Sequence, residues 1–250
     1  MLLQDRVAVV TGGNRGIGKQ TAIMLAKEGA AIIVHYHSAQ EKAENVVDLI
    51  TSEGGLAASY KADVRESKQV SDMVNYAQRK FGPVDILINS ARQLGVKKKY
   101  LDLTWSDYEG QLEVILKGAF NCCQVVLPSM IERKSGGRII NMLSTAIEEP
   151  NWRWHTYGAA KGSLWQLTRH LASEMGQYGI TVNMVSPGYT QTERETKHLD
   201  NYLQDLLDHT PMGRFADTDD VANAIVFLSS ARAKFITGAN IPVCGGKVMF

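Results

Sequence analysis

Residues 7–18 read Val7-Ala8-Val9-Val10-Thr11-Gly12-Gly13-Asn14-Arg15-Gly16-Ile17-Gly18. An apolar, mostly β-branched run bounded by glycines reads as a short strand buried on both faces. Downstream, Ile17, Thr21, Met24 and Leu25 fall at helical spacing and Gly29 closes the segment, which predicts a helix from Ile17 to Glu28. A glycine-rich turn between a first strand and a first helix can cradle a phosphate. Gly12 permits the tight turn, Gly16 lets backbone approach the phosphate, and Gly18 lets helix and strand pack closely. The N–H groups and positive dipole end of the helix then face the anion. The spacing is Gly-x-x-x-Gly-x-Gly, not the commoner Gly-x-Gly-x-x-Gly.

The same strand–helix rhythm continues outward. Strands are predicted at Ala31–Tyr36, Leu56–Ala62, Val84–Ile88, Arg138–Met142, Ile180–Val185 and Ile241–Val243. Between them lie helices at about Ala39–Ser52, Val70–Phe81, Trp105–Lys134, His155–Tyr178 and Asp219–Ser229. Pro128 is expected to bend or break the long one, and Thr218 or Asp219 to cap the last. Regular β-α alternation implies an α/β fold: a doubly wound parallel sheet of about seven strands with helices on both faces. The 250 residues fit one such domain, spanning 1–250. Two stretches break the rhythm. Ala91–Thr104 carries Lys97-Lys98-Lys99 and reads as a solvated surface loop, with a docking patch for an acidic carrier or a phosphate as the alternative. Residues 188–212 are too long for an ordinary connector and read as a substrate lid, with Tyr189, Tyr202, Leu203, Leu206 and Leu207 as its apolar cover.

Composition narrows the function. Apolar residues make up 44% and charged residues 21%, an ordinary globular mixture. A net charge of +1 leaves no field to attract nucleic acid or an anionic membrane. The three cysteines, Cys122, Cys123 and Cys244, form neither a disulfide framework nor a zinc-ligand spacing, so no metal is expected. No secretory leader or membrane-spanning run is read, and a cytoplasmic location is expected.

A second constellation lies at residues 141–161. The strand ending at Met142 delivers Ser144, and Tyr157 and Lys161 stand one helical turn apart on one face. A phenol beside an ammonium ionises more easily, which suits a general acid/base, and the Ser144 hydroxyl can hold a carbonyl oxygen. For the nucleotide, the second strand ends in His35-Tyr36-His37-Ser38, with no acid before Glu41 to grip a ribose 2′-OH. Arg15 can pair with a 2′-phosphate and His37 and Ser38 can add hydrogen bonds, so NADP(H) is favoured over NAD(H).

Taken in order, the glycine motif, Asp63-Val64, Asn89, Ser144, Tyr157-x-x-x-Lys161, Val182-Asn183-x-x-Ser186-Pro187-Gly188, Thr237-Gly238 and Gly245-Gly246 resemble the short-chain dehydrogenases/reductases over essentially the whole chain. The branch most resembled is the 3-oxoacyl-(acyl-carrier-protein) reductase-like one. The resemblance implies a Rossmann fold. It also implies an enzyme in which Tyr157 exchanges a proton with the substrate oxygen, Lys161 binds the nicotinamide ribose and lowers the tyrosine pKa, and Ser144 orients the carbonyl. It implies a cofactor held by Gly12, Asn14, Arg15, Gly16, Ile17, Gly18, His37 and Ser38. Asp63 and Val64 would flank the adenine, Asn89 and Ala91 the ribose, and Pro187, Gly188 and Thr190 the nicotinamide. The substrate would be a small carbonyl or alcohol, and the assembly a homotetramer or homodimer.

Three residues depart from the family pattern. Asn89-Ser90-Ala91-Arg92 ends in arginine where the family has glycine, so Arg92 either turns outward or reaches an anionic substrate or phosphate. Ile115 stands where the family has a catalytic asparagine, and isoleucine cannot hold the water that links Lys161 to solvent. Cys244 replaces the usual acid before the terminal glycines. Trp152-Arg153-Trp154 should lie near the mouth of the site, as an aromatic wall or an oligomer contact. A regulatory nucleotide-binding protein and an enoyl reductase are the alternatives to a carbonyl reductase.

Overall fold

The computed structural model describes residues 1–193 and 201–249. It builds one parallel sheet from β1 (Val7–Val10), β2 (Ala31–Tyr36), β3 (Ala57–Lys61), β4 (Ile86–Asn89), β5 (Gly137–Met142), β6 (Ile180–Pro187) and β7 (Asn240–Val243). Their order is β3-β2-β1-β4-β5-β6-β7. The direction of winding reverses between β1 and β4, and that switch point opens a crevice at the carboxyl ends of the strands.

Alternation along β1 sorts the core. Ala8 and Val10 face one side, where they meet α1 (Gly16–Lys27), α2 (Gln40–Ser52) and α8 (Thr218–Ser229) through residues such as Leu25, Val46 and Ile225. Val7 and Val9 face the other, against α3 (Ser67–Phe81), α5 (Gly118–Arg133) and the end of α6 (His155–Met175) through Met73, Met130 and Met175. Because both faces are covered, β1 is apolar and buried along its whole length rather than alternating with polar residues.

The long helix differs from expectation in three ways. First, α4 (Trp105–Leu112) joins α5 through a π-helical turn at Glu113–Lys117, and the run continues through Pro128 to Arg133. Pro128 and Gln124, the residue whose carbonyl it leaves without a partner, lie on the exposed face, where water takes that bond. Second, the irregularity falls at Ile115, well before the proline. Third, the run is long and apolar enough, by length and composition, to cross a membrane, with a mean hydropathy of 1.5 over its best window. In this fold its Cys122, Cys123, Val126 and Met130 are buried in the core beneath the sheet.

Smaller corrections concern ends and caps. The last residues of the helix predicted to reach Tyr178 form a separate 3-10 turn, Gly176–Tyr178. Helix α8 is capped by Asp217, one residue before the earlier of the two expected caps. Its side chain accepts from Asp220 N–H, and the Asp220 side chain returns the bond to the cap backbone. Within the predicted lid, α7 (Asn201–Asp208) carries Tyr202, Leu203 and Leu206 on the lining of the crevice. Residues 194–200 of that stretch lie outside the described residues.

Candidate active site

At the first strand–helix turn the glycines do what their spacing implied. Gly12 and Gly16 have φ of +66° and +51°, which L side chains rarely adopt. A Cβ on Gly18 would stand 2.4 Å from the Gly12 carbonyl oxygen, so helix and loop touch only because that atom is missing. The loop is braced from behind. His35 Nδ1 accepts from Gly12 N–H at 3.0 Å, which leaves Nε2 as the donor to Ala62 O, also at 3.0 Å. Burial lowers the His35 pKa to about 4, so the ring stays neutral and keeps that acceptor. Asn14 spends its amide on Ser38 O and supports the loop from within. The first turn of α1 has no side-chain cap. Instead both oxygens of the Glu193 carboxylate accept from Gly16 N–H, at 3.1 and 3.2 Å. An anion therefore already seats where the sequence places a phosphate, and the residues present fit a dinucleotide.

The cleft has a volume of about 1510 Å³ and runs from His37, Ser38 and Arg15 across to Tyr157. That exceeds the usual range for one small ligand and leaves room for a dinucleotide and a substrate together. At the nucleotide end, Arg65 grips Asp63 in a bidentate pair, with Nε to Oδ1 at 2.9 Å and Nη2 to Oδ2 at 2.6 Å. It holds the carboxyl down at about 2. Asn89 is expected beside the ribose, but its amide turns inward and donates to Asn141 Oδ1 at 2.8 Å, which in turn bonds Thr168. Any contact it makes with a cofactor runs through backbone. Ala91 is fixed by Thr11 Oγ1, which accepts from both Ser90 N–H and Ala91 N–H. Ile17, Val64, Pro187, Gly188 and Thr190 line the cleft, although the Thr190 hydroxyl is engaged by Gly188 O at 3.1 Å.

The reactive end gathers at the carboxyl end of β5. The Ser144 hydroxyl oxygen accepts from Ala146 N–H at 3.2 Å, which leaves its proton free to donate into the cleft. Lys161 is 3% exposed and donates from Nζ to Met142 O, so the ammonium is tethered to the strand. It lies 5.5 Å from the Tyr157 ring centre. The sequence expectation for the tyrosine is reversed. Burial raises its pKa, and only partial compensation comes from the Arg92 charge and the Ser144 hydroxyl. Burial and Arg92 together bring Lys161 down to about 7. A lysine half-neutral near pH 7 is a weak acidifier, so Tyr157 enters the site as a phenol.

Ile115, on the π turn, is 2% exposed. With Thr11, Asn89 and Lys161 it borders a cavity of about 10 Å³, close to the smallest space that takes one water. The Asn89 Oδ1 atom is buried there without a partner among the described residues. Cys244 packs its Cβ on Gly188, within the chain. Lys98 is not a free lysine; it bonds Asp107 at 2.9 Å, inside the cap of α4. Trp154 stands 5.8 Å from Tyr157, ring centre to ring centre, as part of the cleft wall. Residues missed by the sequence reading are His35, Thr11 and Glu193. Each acts through backbone or a loop contact, for which the sequence carries no signal.

Residues 12–247 match the family model described as enoyl-(acyl-carrier-protein) reductase. The 3-oxoacyl-(acyl-carrier-protein) reductase of Staphylococcus epidermidis is 36% identical over 247 residues, spanning 98% of this chain and 100% of that protein. The chain belongs to the short-chain dehydrogenase/reductase family. A second family relative, the (2S)-[(R)-hydroxy(phenyl)methyl]succinyl-CoA dehydrogenase subunit of Thauera aromatica, is 37% identical and spans 100% of this chain and 99% of its own. Among solved short-chain dehydrogenases/reductases, a 7α-hydroxysteroid dehydrogenase complexed with NADH and 7-oxo glycochenodeoxycholic acid superposes with a TM-score of 0.92. It has 33% identity and covers 99% of this chain and 96% of that one. A Serratia marcescens member matches with the same TM-score and identity, covering 99% of both chains. As a member of this family the chain is an oxidoreductase acting on a carbonyl or alcohol with a nicotinamide cofactor.

Proposed function

We propose that this chain is an NADP(H)-dependent carbonyl reductase of the 3-oxoacyl reductase-like kind, running as an alcohol dehydrogenase in reverse. The observation that carries this reading is the meeting of Ser144, Tyr157 and Lys161 at the end of β5, in the same cleft as the glycine turn. When bound, the cofactor supplies a hydride for the carbonyl carbon. The Ser144 hydroxyl holds the carbonyl oxygen, and Tyr157 gives that oxygen its phenolic proton. Lys161, tethered to Met142 O, is placed to bind ribose hydroxyls and to restore the proton to Tyr157. Preference for the 2′-phosphate rests on Arg15, His37 and Ser38, and on Asp63 being neutralised by Arg65.

An NADPH-oxidation screen over ketones, 3-oxoacyl thioesters and enoyl thioesters tests the reading. Turnover of carbonyls that falls about 10²- to 10⁴-fold in Tyr157→Phe is expected. NADPH binding without turnover of any member, in wild type and variant alike, would overturn it in favour of a nucleotide-binding regulatory role, the reading that Ile115 favours. Turnover confined to enoyl thioesters would make the chain an enoyl reductase. Supporting a homotetramer or homodimer, Phe120 on α5 and Trp165 on α6 remain exposed apolar side chains. Light scattering decides that point. Three buried free thiols suit the reducing cytoplasm we assign to it.

A further inference from the structure

The loop after β4 crosses directly over Tyr157. A Cβ on Gly95 would lie 3.5 Å from Tyr157 Cβ, and Leu94 O is pinned by Gln111 Nε2 at 3.2 Å. Arg92 precedes that crossing and Lys97 follows it, and both line the cleft. Neither has a carboxylate partner among the described residues. Arg92 is exposed and makes no hydrogen bond there, while the Lys97 ammonium rests 5.7 Å from the Trp154 ring centre. The carboxylates along the cleft are otherwise engaged. Asp63 is held by Arg65, Glu149 lies 3.3 Å from Lys247, Asp205 lies 3.3 Å from His209, and Glu193 sits on Gly16 N–H. Arg92 and Lys97 therefore bring positive charge to the cleft wall without a carboxylate paired to either. Its effect reaches the reacting groups, since the Arg92 charge disfavours the protonated form of both Tyr157 and Lys161.

Building on the carbonyl-reductase reading, we infer that Arg92, assisted by Lys97, binds a carboxylate carried by the substrate a few bonds from the carbonyl that is reduced. A guanidinium takes a carboxylate in two parallel hydrogen bonds, which fixes its orientation as well as its charge. Arg92 lines the cleft three residues before Gly95, the residue packed on Tyr157, and this placement sets the short spacing. A phosphate on the pantetheine arm of a carrier lies many bonds from its thioester carbonyl and does not meet this geometry. A glycine at position 92, the family's usual residue, offers no such contact, so the charge is a property of this chain.

The test uses the full chain with NADPH and matched pairs of oxo acids and their methyl esters, such as acetoacetate with methyl acetoacetate and levulinate with methyl levulinate. A 3-oxoacyl-CoA serves as the phosphate-bearing arm. The free acids should exceed their esters in kcat/KM, and Arg92→Gln should shrink that ratio about ten- to hundredfold, mainly through KM. Lys97→Gln should shrink it less. Esters preferred by the wild type, or a parallel loss on acid and ester in R92Q, would overturn the inference. So would a change confined to KM for NADPH, which would make Arg92 a cofactor-phosphate ligand. A selective loss on the CoA thioester would assign the charge to the carrier arm instead. If no pair is turned over and no ketone or 3-oxoacyl thioester is either, the carbonyl-reductase reading fails. Titration of the same acids into the NADPH complex then decides the carboxylate, since equal binding by wild type and R92Q refutes it.

Discussion

Tyr157 shows why a motif does not report its own protonation state. Spacing alone suggests that Lys161 acidifies the phenol, but burial of Tyr157 outweighs the Arg92 charge and the Ser144 hydrogen bond and leaves it with a raised pKa. Reduction, which needs the proton on the phenol, should therefore run well at neutral pH. Oxidation needs the phenolate, so its rate should climb steadily from pH 7 to 10; a flat profile over that range would contradict the assignment. His35 makes a second residue-scale prediction. Its folded pKa is lowered from 6.5 to about 4, so between those values only the unfolded chain takes up the proton. The contribution is fully present above pH 6.5 and is lost as pH falls toward 4, on the order of 3 kcal/mol at most. Denaturant titrations at pH 7, 5.5 and 4 should show this slope, and His35→Gln should flatten it. Protonation also removes the acceptor for Gly12 N–H, so cofactor affinity should fall over the same interval.

The π turn at Glu113–Lys117 interrupts the long helix beside the reactive end of the cleft. It carries Ile115 to the cavity behind Lys161, where an amide would face Asn89 Oδ1 and the ammonium across one water. Ile115→Asn should raise kcat with KM little changed, as read by steady-state NADPH oxidation. An unaltered kcat would show that the proton of Lys161 leaves by another route. In the first element pair, Gly18→Ala forces a methyl against the Gly12 carbonyl at 2.4 Å. Alanine would ordinarily stabilise a helix by about 1 kcal/mol. Here overpacking should dominate and destabilise by about 1–3 kcal/mol, with a lower Tm and weaker NADPH binding.

For the whole molecule, the cleft is lined by residues at the ends of β1, β5 and β6 and in the loop after β4, so a ligand that fills it should stiffen the fold as one unit. NADPH at a hundredfold excess over its Kd should stabilise by about 2.7 kcal/mol, or roughly 5–10 °C in Tm for a chain of this size. At equal concentration NADH should give a smaller shift, and Arg15→Gln should narrow the gap. An NADH shift equal to or larger than that of NADPH would reverse the cofactor assignment.

The sequence by itself determined the sheet, its helices and the positions of Gly12, Ser144, Tyr157 and Lys161, because these follow from local periodicity and from chemistry tied to short spacings. The seven strands and the family follow from those local patterns, whereas the strand order and its switch point came from the tertiary structure. Tertiary structure alone decided how the groups behave together. Asn89 is legible as a site residue, yet its amide goes to Asn141, 52 positions away. Glu193 seats on Gly16, 177 positions away, and nothing near either residue announces the contact. The irregularity of the long helix fell at Ile115 rather than Pro128, since water on the exposed face relieves the proline. Charge follows the same division. The lysine run at 97–99 is plain in the sequence, but burial, pairing and distance assign Lys98 to a helix cap and leave Arg92 and Lys97 facing the cleft. Desolvation and Coulomb interactions depend on three-dimensional distance, which sequence separation does not encode.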